Sequence, residues 1–106
     1  MLTRRGIAVA LVAAAAGGQA RAAGAEVHID NFTFEPGVLT IAAGTVVTWV
    51  NRDDIPHTVV DRDRPREVRS PVLDTDDHYS RTFAMAGRFG YFCSLHPHMQ
   101  GTIVVT

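Results

Sequence analysis

A single cysteine, Cys93, stands in this chain of 106 residues, so no disulfide can close within it. The constraint is severe, because the N-terminus reads as an export signal and small exported domains are commonly stapled by disulfides. Thr3-Arg4-Arg5-Gly6-Ile7 gives a positive start with paired arginines, Ile7 to Ala16 gives an apolar stretch, and Ala20-Arg21-Ala22-Ala23 gives a small-residue cleavage site. The paired arginines lean toward the twin-arginine route, with an ordinary Sec signal as the alternative, and either route exports the chain. An uncut membrane anchor is disfavoured: the apolar stretch is about ten residues, and roughly 20 are needed to span a bilayer. We therefore expect residues 1–23 to be a signal peptide, residues 24–106 to be one domain, and the processed protein to be periplasmic, monomeric and without a membrane span.

Ten arginines less Arg4, Arg5 and Arg21 leave seven against eleven carboxylates, so the processed domain carries about −4. A nucleic-acid partner is disfavoured on that ground. All ten basic residues are arginine, which we attribute to genomic composition. The remaining chain of about 83 residues can bury one modest core, and bound metal is the natural further source of stability in a domain without disulfides.

Beyond the signal the chain reads as short strands between turns, with no helical periodicity sustained over three turns. Strands are expected at Val27 to Phe32, at Val38 to Ile41 after the Pro36-Gly37 turn, and at Thr45 to Val50 after Gly44. Further strands are expected at His57 to Val60, Tyr79 to Phe83, Arg88 to Cys93 and Thr102 to Val105. This spacing predicts an all-β fold, a Greek-key β-sandwich of about seven to eight strands. Trp49 and Phe32 read as core, His28 and His78 as surface residues on strands. Asp61 to Asp77 interrupts the rhythm. Its charged run, including Arg62, Arg64, Arg66 and Arg69, reads as a solvated surface loop with self-compensating charges, and docking to an acidic partner is the sharper alternative. Within it Ser70-Pro71-Val72-Leu73 inserts a short apolar run able to dock on the core.

The run Cys93-Ser94-Leu95-His96-Pro97-His98-Met99 places a thiol, an imidazole and a thioether at i, i+3 and i+6. His57, in Ile55-Pro56-His57-Thr58-Val59, adds a second imidazole. Soft sulfur suits Cu(I) and imidazole suits Cu(II), so this mixed set tolerates both states, and two His, one Cys and a weak axial Met are the donors of blue-copper electron-transfer centres. A buried hydrophobe is the duller account of Cys93, and plain core packing that of Met99. Cys93 should lie at the end of an apolar strand and His57 at the start of another, with the site at one pole of the sandwich and one imidazole edge near the surface.

The segments Val47-Thr48-Trp49-Val50-Asn51-Arg52-Asp53-Asp54-Ile55-Pro56-His57-Thr58-Val59 and Gly87-Arg88-Phe89-Gly90-Tyr91-Phe92-Cys93, with the Cys-x-x-His-x-x-Met spacing, resemble the cupredoxins over nearly the whole processed chain. Within that family the pattern is most similar to the amicyanins, with pseudoazurins and plastocyanins further off. The resemblance implies one type 1 copper ion held by His57, Cys93, His96 and Met99. It also implies that the Asn51 side chain ties the upstream loop to the Cys93-Ser94 backbone. Two residues depart from the amicyanin pattern: His98 stands where an apolar aromatic is usual and Leu95 where proline is frequent. His98 is either an exposed loop ring or a further metal contact or charge beside His96.

These observations lead us to expect a single-electron carrier cycling Cu(II)/Cu(I) between transient redox partners such as a dehydrogenase, a cytochrome or a reductase. Ile55, Pro56, Leu95, Pro97 and His98 would surround His96 as a docking patch, since carriers use small, weak interfaces. No acid–base or nucleophile constellation lies outside the metal ligands, so we do not expect an enzyme. Copper buffering or delivery is the alternative, disfavoured because the processed chain carries only Met85 and Met99 rather than an open Met-rich or His-rich site.

Overall fold

The computed structural model describes residues 24–65 and 67–106; the expected signal peptide lies outside the described residues. Eight strands follow one another there: β1 Gly24–Asp30, β2 Thr33–Glu35, β3 Val38–Ile41, β4 Thr45–Asn51, β5 Val60–Asp61, β6 His78–Phe83, β7 Gly87–Phe92 and β8 Gln100–Val105. They form two four-stranded sheets, ordered β2-β1-β4-β6 and β3-β8-β7-β5. Only β1–β2 and β7–β8 are consecutive neighbours within a sheet. Every other connection passes from one sheet to the other; of the pairs so formed, β1–β4 and β3–β8 are parallel and β4–β6 and β5–β7 antiparallel. The all-β sandwich expected from the strand spacing is the fold observed.

Alternation decides which side chains face inward. In β4, Val47, Trp49 and Asn51 are buried on the inner face, with Val27 and Ile29 of β1 in register beside Trp49 and Asn51. The opposing sheet contributes Ile41, Tyr91, Ile103 and Val105, and Phe34 and Phe83 complete the layer. Burying each such large apolar side chain contributes about 1.5–3 kcal/mol relative to leaving it exposed. The β1–β4 pairing ends at Ile29 opposite Asn51, and β7 ends where β8 begins, at Phe92 opposite Gln100. The segments leaving these ends build the site described below.

The strand expected to run through Phe32 instead stops at Asp30. Asp30 pairs with Thr33, so Asn31 and Phe32 form a two-residue hairpin turn with φ of 50° and 58°. Phe32 is 44% exposed, which corrects its placement in the core. Such turns are usually announced by Asn-Gly; with phenylalanine in the second position the sequence carries only half of the signal. β2 was missed for the same reason.

The strand expected at His57 to Val60 shrinks to β5, because the excursion claims its backbone. His57 N–H donates to Leu73 O at 3.1 Å and Leu73 N–H returns to His57 O at 2.8 Å. Ser70 N–H donates to Val59 O at 2.9 Å, and Val59 N–H to Ser70 Oγ at 2.8 Å. The excursion is therefore a paired return rather than a wholly solvated loop. Val68, Ser70 and Leu73 are buried while Pro71 and Val72 are exposed, so the run from Ser70 to Leu73 docks through its two ends. Buried Asp61 accepts the backbone N–H groups of Asp63 and Arg64 at 2.8 and 2.7 Å, turning the chain back.

Candidate metal centre

Cys93 is the first residue after β7, and the loop it opens is closed by its own backbone. His96 N–H donates to Cys93 O at 3.2 Å, Met99 N–H to His96 O at 2.9 Å, and Cys93 N–H to Met99 O at 3.2 Å. Pro97 occupies the second position of the turn His96 to Met99, where its fixed φ is favoured. These bonds hold Cys93, His96 and Met99 in one tight unit. His57 reaches the same place from the connection between β4 and β5, fixed by its reciprocal pair with Leu73.

The ligand atoms of His57, Cys93 and His96 all lie within 4.8 Å of one another. Each imidazole presents Nδ1 to the Cys93 sulfur, at 3.7 Å in both cases. Bonds of about 2.0 Å to imidazole and 2.3 Å to thiolate, meeting at a trigonal angle, would separate nitrogen from sulfur by about 3.7 Å. The donor set and its spacing therefore fit one trigonally held ion. Cys93 and His57 are fully buried and Met99 is 3% exposed, whereas His96 is half-buried. One edge of the centre thus faces outward through His96.

The contacts behind the ligands fix their orientation. The far nitrogen of His57, Nε2, lies 2.9 Å from Asp53 Oδ2. Its N–H donates to the carboxylate, which leaves the Nδ1 lone pair directed at the sulfur side. Asp53 also accepts the backbone N–H groups of Phe32 and Asp54, both at 3.1 Å. The hydrogen bond from His57, followed by that from Phe32, holds its carboxyl below the usual carboxylate range against the opposing effect of burial. Thr58 N–H donates to Cys93 Sγ at 3.4 Å. Its hydroxyl oxygen accepts Ser94 N–H at 2.8 Å and lies 2.8 Å from Ser94 Oγ.

Asn51 is placed differently from the sequence expectation. Its Nδ2 donates to the carbonyls of Ile55 and Leu73, each at 2.9 Å, and its Oδ1 accepts Asp53 N–H at 2.9 Å. It therefore stitches the 51–55 loop to the excursion beside His57. The link to the Cys93-Ser94 backbone is made by Thr58, which starts closer to that backbone. The sequence expectation also gave no role to Asp53 or Phe32. Asp53 precedes His57 by four residues in a turn, a signal available in the sequence; Phe32 lies 25 residues upstream of His57, and only the hairpin brings it to the site. Of the residues expected to form a docking patch, Pro56, Leu95, Pro97 and His98 are exposed and Ile55 is half-buried. Trp49 is fully buried, and His28 and His78 are exposed.

Residues 22–106 match the family of copper binding proteins described as the plastocyanin/azurin family. The chain belongs to this cupredoxin family. Amicyanin-alpha of Methylorubrum extorquens is 36% identical to this cupredoxin over 90 residues, covering 82% of this chain and 76% of that protein. Plastocyanin of Scenedesmus fuscus is 42% identical over 83 residues, covering 68% and 85%. The solved structure of a purple cupredoxin from Nitrosopumilus maritimus superposes with a TM-score of 0.71 at 33% identity, covering 77% and 99%. In this cupredoxin His57, Cys93, His96 and Met99 form the type 1 copper site.

Proposed function

We propose that this cupredoxin is a periplasmic carrier of single electrons, exchanging them through the outward edge of His96 with larger redox proteins. The observation that carries the reading is the asymmetry of the site. One imidazole, His57, is sealed and anchored by Asp53, and the other, His96, is half-buried; we take the exposed Pro56, Leu95, Pro97 and His98 with half-buried Ile55 as the docking patch. Copper bound there supplies a one-electron couple between Cu(II) and Cu(I).

The chain's own residues supply the rest. Cys93 is held by its backbone bond to Met99 and His57 by its reciprocal pair with Leu73, so little movement accompanies a change of charge at the centre. The weakly polar rim offers a small contact that a transient partner can leave quickly. Ser94 ties its ligand loop to Thr58 beside His57, and Asn51 ties the segment before His57 to Leu73. The names of the relatives, amicyanin and plastocyanin, support the carrier assignment, and the arginine-led N-terminal segment supports export.

Electron self-exchange decides it. In mixtures of oxidised and reduced copper-loaded protein, NMR line widths should report rapid exchange, and Leu95→Glu beside His96 should slow it by like-charge repulsion at the encounter. Slow exchange in the unaltered protein, together with ready loss of Cu(I) to a chelator, would instead indicate copper delivery.

A further inference from the structure

The Asp53 carboxylate serves two groups with one oxygen. Oδ2 accepts the His57 Nε2–H at 2.9 Å and the backbone N–H of Phe32 at 3.1 Å. Phe32 occupies the second position of the β1–β2 turn at φ 58°, where a bulky side chain is strained and glycine is the favoured residue. The turn itself gives no reason for an aromatic ring there.

The ring's neighbours do. Its centroid lies 5.7 Å from that of His57 and 5.1 Å from that of His96, at interplanar angles of 85° and 90°. The two imidazoles are themselves 5.1 Å apart. Phe32 is 44% exposed, so one side of the ring meets solvent and the rest covers both ligands. A strained residue packed on functional groups persists when the surrounding structure over-determines it, and here the Asp53 bond is part of that determination.

We propose that Phe32, held in its strained turn by Asp53, is a positioning residue of the copper centre that braces both imidazoles and closes the solvent side of His96. The inference rests on the carrier reading above. Perpendicular packing of one ring on two imidazoles resists rotation of either, and the shared Asp53 oxygen couples the orientation of His57 to the cover over His96. Phe32 is thereby distinguished from the residues that merely line the rim.

The test uses copper(II)-loaded full-length protein and two readouts, water-proton relaxation by the bound ion and electron self-exchange. Phe32→Gly suits the turn, so its thermal midpoint should not fall. Its water-proton relaxation should rise and its self-exchange should slow about tenfold or more, the usual scale for losing a ligand-orienting contact. Phe32→Tyr, which keeps the ring, should stay near the parent values. Asp53→Ala should raise relaxation too, although Asp53 does not touch His96, and combining it with Phe32→Gly should add less than the two single effects. Unchanged relaxation and exchange in Phe32→Gly would overturn the proposal, and so would additive effects in the double variant. Should Phe32→Gly fail to fold, Phe32→Leu replaces it, with raised relaxation expected and parent values contradicting. Failure of the carrier reading is distinct, because it appears as slow exchange in the unaltered protein.

Discussion

Thr58 directs its backbone N–H at the Cys93 sulfur from 3.4 Å, while its hydroxyl oxygen accepts the N–H of Ser94 at 2.8 Å. One residue just before β5 thus meets both the sulfur and the backbone that follows it, continuing the edge on which β5 pairs with β7. The amide is the group that bears on a thiolate, since hydrogen bonding at the Cys sulfur tunes such centres. Thr58→Ala keeps that amide and removes the partner of Ser94 together with the longer hydroxyl contact to the sulfur at 3.8 Å. We expect the visible band of the copper-loaded protein to persist, with about 1 kcal/mol of stability lost in urea unfolding. Loss of the band would show that the hydroxyl, not the amide, places the sulfur.

Met99 is the weak donor of the set. Replacing its thioether by leucine keeps the buried volume close to constant and lowers the donor count, which destabilises the more highly charged Cu(II) more than Cu(I). Met99→Leu should remain coloured and show a higher reduction potential by voltammetry. A lower potential would contradict the axial role.

Asp53 makes stability depend on acid. Its carboxyl is held below its ordinary value of 3.8, chiefly by the hydrogen bond from His57. A folded-state pKa below the unfolded one contributes stability that is present above the unfolded value and is lost as pH falls through the folded one. The parent should therefore exceed Asp53→Asn in urea unfolding above about pH 4, and the gap should close on further acidification. A gap independent of pH would place the effect in packing rather than in the carboxylate's charge.

Much of this was legible in the sequence because the informative residues are close together. Cys93, His96 and Met99 share one short loop, and the strands Val38–Ile41 and Thr45–Asn51 are dense in β-branched residues between turns. What was not legible depends on pairing across the chain. The Asn31-Phe32 turn lacks the usual glycine, so Phe32 read as core when it covers His57 and His96. The excursion read as solvated because its charges dominate, yet Ser70 and Leu73 take the backbone bonds of Val59 and His57. Asn51 was assigned the right neighbourhood and the wrong partners, since which carbonyl it meets is set by the excursion's return.

Tyr91 sits against Phe34 and Trp49, with ring centroids 4.7 and 5.3 Å away. Burial pushes its phenol up to about 12, and the nearby Trp49 indole offsets this only in part. Neither Trp49 Nε1 nor Tyr91 Oη reaches hydrogen-bonding geometry with any partner among the described residues. The phenol's contribution to stability is complete below its unfolded value near 10 and is lost as pH rises through about 12. An absorbance titration should show a phenolate step near pH 12 that Tyr91→Phe removes. That variant should also gain on the order of 1 kcal/mol, because a buried hydroxyl without a partner is costly. A clear loss of stability would contradict this view of the core.

The visible and EPR spectra of the Cu(II)-loaded processed protein, recorded beside those of Cys93→Ser, test the copper assignment most directly. With the thiolate of Cys93 and the Nδ1 atoms of His57 and His96 around one ion, the parent should show an intense visible thiolate-to-copper band and a narrow copper hyperfine splitting. Cys93→Ser should lose both. A pale parent, or the same band surviving in Cys93→Ser, would contradict a type 1 centre built on these residues.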